Sequence, residues 1–200
     1  MPPAFADLAP TLDGRLVRVE PLRAEHEDAL FAAASDPAVW RWMPVNAIAD
    51  RAAFADWMTS ALARTEQGLE AAFCVSDRDG RPIGSTRYLA LRPEHRSLEI
   101  GWTWVTPAAW NTGANAETKL LLIEHAFERL GCMRVEFKTD ARNERSRRAL
   151  EALGCRFDGI FRRHMVVQDG DIRDSAWYSV VDTDWPDVRA RLRARVERKA

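Results

Sequence analysis

The sequence predicts a single α/β domain in which helices flank a mixed, mostly antiparallel central sheet. Three observations carry that prediction. The chain has 200 residues, 46% of them hydrophobic, which suffices for one full core and demands no second domain. Its hydrophobic period switches several times between two and 3.6, so strands and helices interleave. No repeat, low-complexity stretch or linker interrupts it. Residues 1–14 read as an N-terminal extension, 15–182 as the domain, and 183–200 as an arginine-rich helical tail.

Residues 16–19, Leu-Val-Arg-Val, alternate like a strand that Pro21 closes. Over 23–34, Ala29, Leu30 and Ala33 recur at helical spacing, and a second helix covers 51–65. Between them, Trp40-Arg41-Trp42-Met43-Pro44-Val45-Asn46 forms an aromatic loop broken by Pro44. Two readings fit it: Trp40 and Met43 cover a pocket for an acceptor, or two tryptophans anchor the core. Residues 71–76 and 83–91 flank Asp77-Arg78-Asp79-Gly80, where Asp-Gly supplies the positive φ angles of a hairpin. A strand over Ser97–Val105, an apolar helix over 118–130, and a strand over 133–138 follow. Then comes an amphipathic helix, Glu144–Leu153, ended by Gly154, and a last hairpin turns at Asp169-Gly170.

Composition removes several function classes. With 29 Lys and Arg against 30 Asp and Glu, the net charge of -1 gives no long-range field toward nucleic acid or anionic lipid, so any anion site is local. The start lacks a basic segment and an apolar segment, and no run approaches the ~20 apolar residues of a membrane span, so a cytoplasmic protein is expected. Cys74, Cys132 and Cys155 are odd in number and far apart, which fits buried thiols, with neither disulfide nor metal. In the tail, Arg189, Arg191, Arg193 and Arg195 fall at every second position, scattering charge around a solvated helix instead of making a nucleic-acid stripe. The sequence has no Gly-x-Gly-x-x-Gly, Gly-x-x-x-x-Gly-Lys, Gly-x-Ser-x-Gly or His-Glu-x-x-His, and its four histidines are scattered, with His125 a helix-packing residue.

The informative stretch runs from residue 98 to 119. Period two places Leu98, Ile100, Trp102 and Trp104 on one face of the strand and Glu99, Gly101 and Thr103 on the other, where a glycine leaves room for a ligand or marks a bulge. A loop of small residues follows, Thr106-Pro107-Ala108-Ala109-Trp110-Asn111-Thr112-Gly113-Ala114-Asn115-Ala116-Glu117, and enters a helix. Free N–H groups and the helix dipole suit such an entrance to a pyrophosphate, although an ordinary turn with Asn115 as N-cap gives the same pattern.

A strand with Glu, a small-residue loop, an apolar helix, another strand, then Asn143-Glu144-Arg145-Ser146 opening a helix that ends Leu153-Gly154-Cys155-Arg156-Phe157: in this order the chain resembles the GNAT acetyltransferases, and within them the RimJ/RimL group, over residues 16–181. The resemblance implies that the Ser97–Val105 and 133–138 strands splay apart to hold CoA, with Thr103, Trp104 and Val105 along its arm. The family's pyrophosphate signature, Gln or Arg, then Gly, then Gly or Ala, falls on Trp110, Gly113 and Asn115, and only Gly113 matches. Phosphate contacts then pass to backbone amides of Asn111, Thr112, Gly113, Ala114, Asn115 and Ala116, with Arg145 or Arg148 beside them. The family's Asn-x-x-Ser site falls on Asn143 and Ser146, and Leu150 stands where many members carry a tyrosine acid.

The implied reaction is direct acetyl transfer from acetyl-CoA to a primary amine, without a metal or a covalent enzyme intermediate. Glu99 would take the amine's proton through water and meet the acceptor, a backbone N–H near Trp104 or Val105 would face the thioester oxygen, and Ser146 would bond the leaving sulfur. A protein N-terminal α-amine is the expected acceptor. A free small amine (amino acid, polyamine or aminoglycoside) and a non-catalytic CoA-binding module are the alternatives. Trp177 and Tyr178 on the last hairpin offer a homodimer surface.

Overall fold

The computed structural model describes residues 5–199, so the first four residues of the extension and Ala200 lie outside it. Its strands are β1 (Leu12–Asp13), β2 (Val17–Pro21), β3 (Ala71–Asp77), β4 (Pro82–Arg92), β5 (Ser97–Val105), β6 (Arg134–Asp140), β7 (Arg156–Val166) and β8 (Ile172–Val181). They form one sheet in the order β1-β2-β3-β4-β5-β6-β8-β7. Every neighbouring pair is antiparallel except β5 with β6. The helices are α1 (Glu27–Ala33), α2 (Arg51–Glu66), α3 (Ala114–Glu128), α4 (Glu144–Leu153) and α5 (Trp185–Glu197). This is the mixed, mostly antiparallel α/β sheet that the sequence predicts.

The sheet separates two apolar clusters. On one side Phe73, Tyr88, Leu98, Ile100, Leu122, Ile123, Phe137 and Tyr178 pack with α3 and α5. On the other, Leu30, Trp40, Phe54, Trp57, Met58 and Trp104 pack with α1 and α2. Trp185, Val188, Leu192 and Val196 recur at helical spacing, so they bury one stripe of α5. That stripe lies antiparallel along α3, where Arg189 reaches Glu124 at 2.9 Å and Glu128 at 3.1 Å and Arg193 reaches Glu124 at 2.8 Å. The solvated terminal helix is therefore solvated only on its outer face.

Helix α3 begins four residues earlier than its apolar run suggests. Gly113, at φ 100°, precedes the first turn, and a Cβ there would stand 2.8 Å from Leu16 Cδ1 and 2.9 Å from Lys199 Cβ. Asn115 is thus inside the helix and is not its N-cap. Glu117 is buried and accepts the backbone N–H groups of Arg15, Leu16 and Val17 at 2.7, 2.5 and 2.8 Å, which ties the start of β2 to α3. No helix among the described residues is long and apolar enough to cross a membrane.

Candidate active site

β5 and β6 pair only at Ser97 with Arg134, Leu98 with Val135, and Glu99 with Glu136. Beyond that point β6 continues beside β8 and β5 beside β4, so a gap opens between the two parallel strands. Inside this stretch β5 carries one extra residue: Trp104 opposes Ser85 while Gly101 opposes Arg87, and Trp102 sits at φ 50°. The bulge inverts the alternation expected from the sequence. Leu98 and Ile100 face α3, but Trp102 and Trp104 join the opposite cluster, and Thr103 turns toward α3 and away from the face of Glu99.

A cavity of about 480 Å³ occupies the gap. Of the residues predicted for a site, Glu99, Thr103, Trp104, Val105, Asn111, Gly113, Asn115, Ala116, Asn143, Arg145, Ser146 and Met43 line it. The side chains of four others lie elsewhere. Trp40 is buried in the second cluster, its Nε1 donating to the Ala34 carbonyl at 2.9 Å, so the core-anchoring reading of that tryptophan is the one the structure takes. Ala114 is buried against the core, Thr112 is an exposed turn residue, and Arg148 pairs in solvent with Glu144 at 2.6 Å. Asn143 Oδ1 accepts the Ser146 N–H at 3.1 Å and so caps α4 while it lines the cavity. The expected dimer surface is not formed by Tyr178, which is fully buried; the exposed apolar residues of that hairpin are Phe157, Ile160, Phe161, Val166 and Ile172.

Glu99 lies at the point where the strands part. Its Oε2 accepts from Lys138 Nζ at 2.9 Å, and its Oε1 would be 2.7 Å from a Cβ at position 101, which only glycine leaves free. Burial pushes the Glu99 carboxyl above the usual range, partly offset by the Lys138 ammonium. Around it the same face carries Glu136, Arg173 and Asp140, all buried. Burial pushes the Arg173 guanidinium below its ordinary range, opposed by the Asp140 and Glu99 charges, and its Nε donates to Ser175 Oγ at 3.0 Å.

Two buried cations at this site were not singled out from the sequence. Arg173 gives no periodic signal. Lys119 does, since it interrupts the inward-facing apolar positions of α3. Its Nζ donates to Thr103 Oγ1 at 2.7 Å and lies 5.4 Å from the centre of the Phe137 ring, so the amine spans the gap from β5 to β6. Burial pushes it down to about 7. By contrast the Cys74, Cys132 and Cys155 thiols are pushed up to about 12 by burial, which leaves them poor nucleophiles.

A second chamber of about 400 Å³ continues outward, and Trp42, Met43 and Arg173 line both. Its walls are Arg41 to Met43 of the aromatic loop, Asp140 at the end of β6 with Arg142 just beyond it, and the turn of the β7–β8 hairpin. Gln168 fastens the loop and the hairpin together, its Nε2 donating to the carbonyls of Trp40 at 2.9 Å and Met43 at 3.0 Å.

Residues 17–156 match the acetyltransferase (GNAT) domain. The chain belongs to the GNAT acetyltransferases. A GCN5-related N-acetyltransferase from Brucella melitensis is 36% identical, with 93% of this chain and 85% of that one covered at a TM-score of 0.86. A GNAT-family protein from Chromobacterium violaceum ATCC 12472 is 32% identical over 90% of each chain, at a TM-score of 0.82. Mycobacterium smegmatis RimJ, solved in complex with CoA-disulfide, shares the fold at 22% identity and a TM-score of 0.78, over 93% of each chain. No curated protein matches the chain.

GNAT enzymes transfer acetyl from acetyl-CoA, and the residues present fit that co-substrate. The unpaired edge of β5 can meet the amides of an extended arm, since the groups facing β6 beyond Glu99 have no ladder partner. The first turn of α3 has no side-chain cap from Gly113, so its N–H groups can meet a phosphate beside the side chains of Leu16 and Lys199.

Proposed function

We propose that this GNAT enzyme acetylates the α-amine at the N-terminus of a protein or peptide. The observation that carries this reading is the second chamber, which extends the cavity past Glu99 for residues that follow an acceptor amine. A free small amine fills the first cavity alone and leaves the outer one to water. The Arg173 guanidinium lines both chambers and would donate to the first peptide carbonyl of an entering chain. The fold of RimJ and of a ribosomal-protein-S5-alanine acetyltransferase from Vibrio fischeri agrees with this choice.

In the proposed reaction the ammonium group enters beside Glu99, whose buried carboxylate attracts it and removes its proton through a water. A carboxyl raised by burial is a better base than one of ordinary pKa. The amine then attacks the thioester, whose oxygen is met by a backbone N–H of β5 near Trp104 or Val105. The thiolate leaves toward Ser146, which lines the same cavity and would hydrogen-bond the sulfur. Met43 would border the acceptor, while Asn143 and Arg145 would flank the CoA arm and phosphates.

Thiol release, followed with acetyl-CoA and a panel of short peptides, free amino acids, polyamines and an aminoglycoside, tests the reading. Peptides should exceed every small amine in kcat/KM by tenfold or more. Equal or faster turnover of a small amine would assign the enzyme to that class, and CoA binding without thiol release on any amine would make it a binding module.

A further inference from the structure

The signature position that supplies a cation or amide in the family holds Trp110 here, and the loop itself contains no Lys or Arg. Besides Lys119, Lys138 and Arg173, three cationic side chains nevertheless line the cavity: Arg145 from α4, Arg195 from the last turn of α5, and Lys199 just beyond it. Arg145 stacks on Trp110, its guanidinium carbon 3.8 Å from the ring centre, so the tryptophan holds that cation in place. The approach of α5 is equally close, because Lys199 Cβ is 2.9 Å from where a Cβ of Gly113 would stand.

The basic residues of α5 divide into two sets. Arg189 and Arg193 are paired with Glu124 and Glu128 of α3. Arg195 and Lys199 have no carboxylate within ion-pair distance among the described residues, and both line the cavity, Lys199 beside Gly113 at the start of α3. Two cations without counter-ions beside open helix N–H groups make a local positive site on a chain of net charge -1. Helix α5 lies outside residues 17–156, the part that matches the family.

We infer that Arg195 and Lys199 are phosphate-binding residues for CoA, so that the C-terminal helix supplies the charge that the Trp110–Gly113–Asn115 loop lacks. The inference rests on acetyl-CoA being the co-substrate. It explains why α5 is docked along α3: the ion pairs of Arg189 and Arg193 with Glu124 and Glu128 set the direction that carries the end of α5 to the loop.

The test compares acetyl-CoA affinity by calorimetry in wild type, in the double variant Arg195→Ala with Lys199→Ala, and in a control with Arg191→Ala and Arg198→Ala. The control removes the same charge from the same helix outside the cavity. The first variant should lose about ten- to a hundredfold in affinity and show a shallower salt dependence, while kcat at saturating acetyl-CoA stays within about twofold. The control should bind like wild type. Dephospho-CoA assigns the phosphate: an equal loss with it places the cations on the pyrophosphate, and a smaller loss places them on the 3′-phosphate. Wild-type affinity in the folded cavity variant, or an equal loss in the control, overturns the inference. A wild type that binds no CoA would overturn the co-substrate reading itself.

Discussion

Lys119 makes the stability of this enzyme depend on pH in a calculable way. Its folded value is lowered from an ordinary 10.5 to about 7 by burial, which corresponds to roughly 5 kcal/mol against the charged form. Between those values the unfolded chain holds a proton that the folded chain has released, so stability rises with pH there and is flat, at its lower level, below about 7. From pH 7 to 8.5 the gain amounts to roughly 1–2 kcal/mol, or about 4 °C in Tm for a domain of this size. Lys119→Met keeps an unbranched chain of similar reach beneath Phe137 and loses the hydrogen bond to Thr103. Setting about 1 kcal/mol for that bond against the removed burial of a charge, the variant should be more stable at pH 7 by roughly 2–4 kcal/mol. Thermal denaturation of both proteins from pH 6.5 to 8.5 reads the difference, in which the cysteines and tyrosines common to both cancel. Parallel profiles, or a variant less stable at pH 7, would show that the amine is hydrated and refute the reasoning.

Glu99→Gln keeps the shape at the strand junction but removes the base, so turnover at neutral pH should fall by roughly tenfold or more and recover partly at high pH, with acetyl-CoA affinity unchanged. An unaltered pH–rate profile would leave Glu99 as the partner of Lys138 and nothing else. Ser146→Ala should slow turnover roughly tenfold to a thousandfold without weakening acetyl-CoA binding, because Asn143 caps α4 through the Ser146 backbone N–H and that bond survives; full activity would confine the serine to helix geometry. Asn115→Glu puts a carboxylate in the first turn of α3, where the dipole favours it, so the fold should hold while acetyl-CoA affinity drops at least tenfold. Calorimetry showing wild-type affinity in that variant would remove the phosphates from this loop.

Much of this site is legible in the sequence because its positions are neighbours along the chain. The order from β5 through the loop to α3, and the Asn143-x-x-Ser146 opening of α4, need no tertiary information to be found. What escaped depends on contacts between distant segments. Asn115 reads as an N-cap, yet the helix starts at Ala114 because Gly113 can adopt a positive φ and because Glu117, one turn in, is held by backbone donors at residues 15 to 17. Trp40 and Met43 look alike in a loop of aromatic residues, but the 40–46 segment turns Trp40 into the α2 cluster and Met43 toward the cavity. Arg195 and Lys199 are indistinguishable from the paired Arg189 and Arg193 until α5 is laid along α3.

The bulge at Trp102 matters most, because it changes what β5 can do. In a regular strand Glu99, Gly101 and Thr103 would share one face, and a base, an open backbone and a hydroxyl would crowd the same space. One inserted residue separates them. Glu99 stays with Lys138 and Arg173 on the face that leads to the outer chamber, whereas Thr103 turns to Lys119 on the α3 side. The two faces communicate through the gap that opens where Glu99 and Glu136 end the parallel ladder. An acceptor entering past Arg173 and a co-substrate arm lying from Gly113 toward Thr103 would therefore approach from opposite faces of β5. They would meet in that gap, beside Glu99, the carboxylate of that pair that lines the cavity.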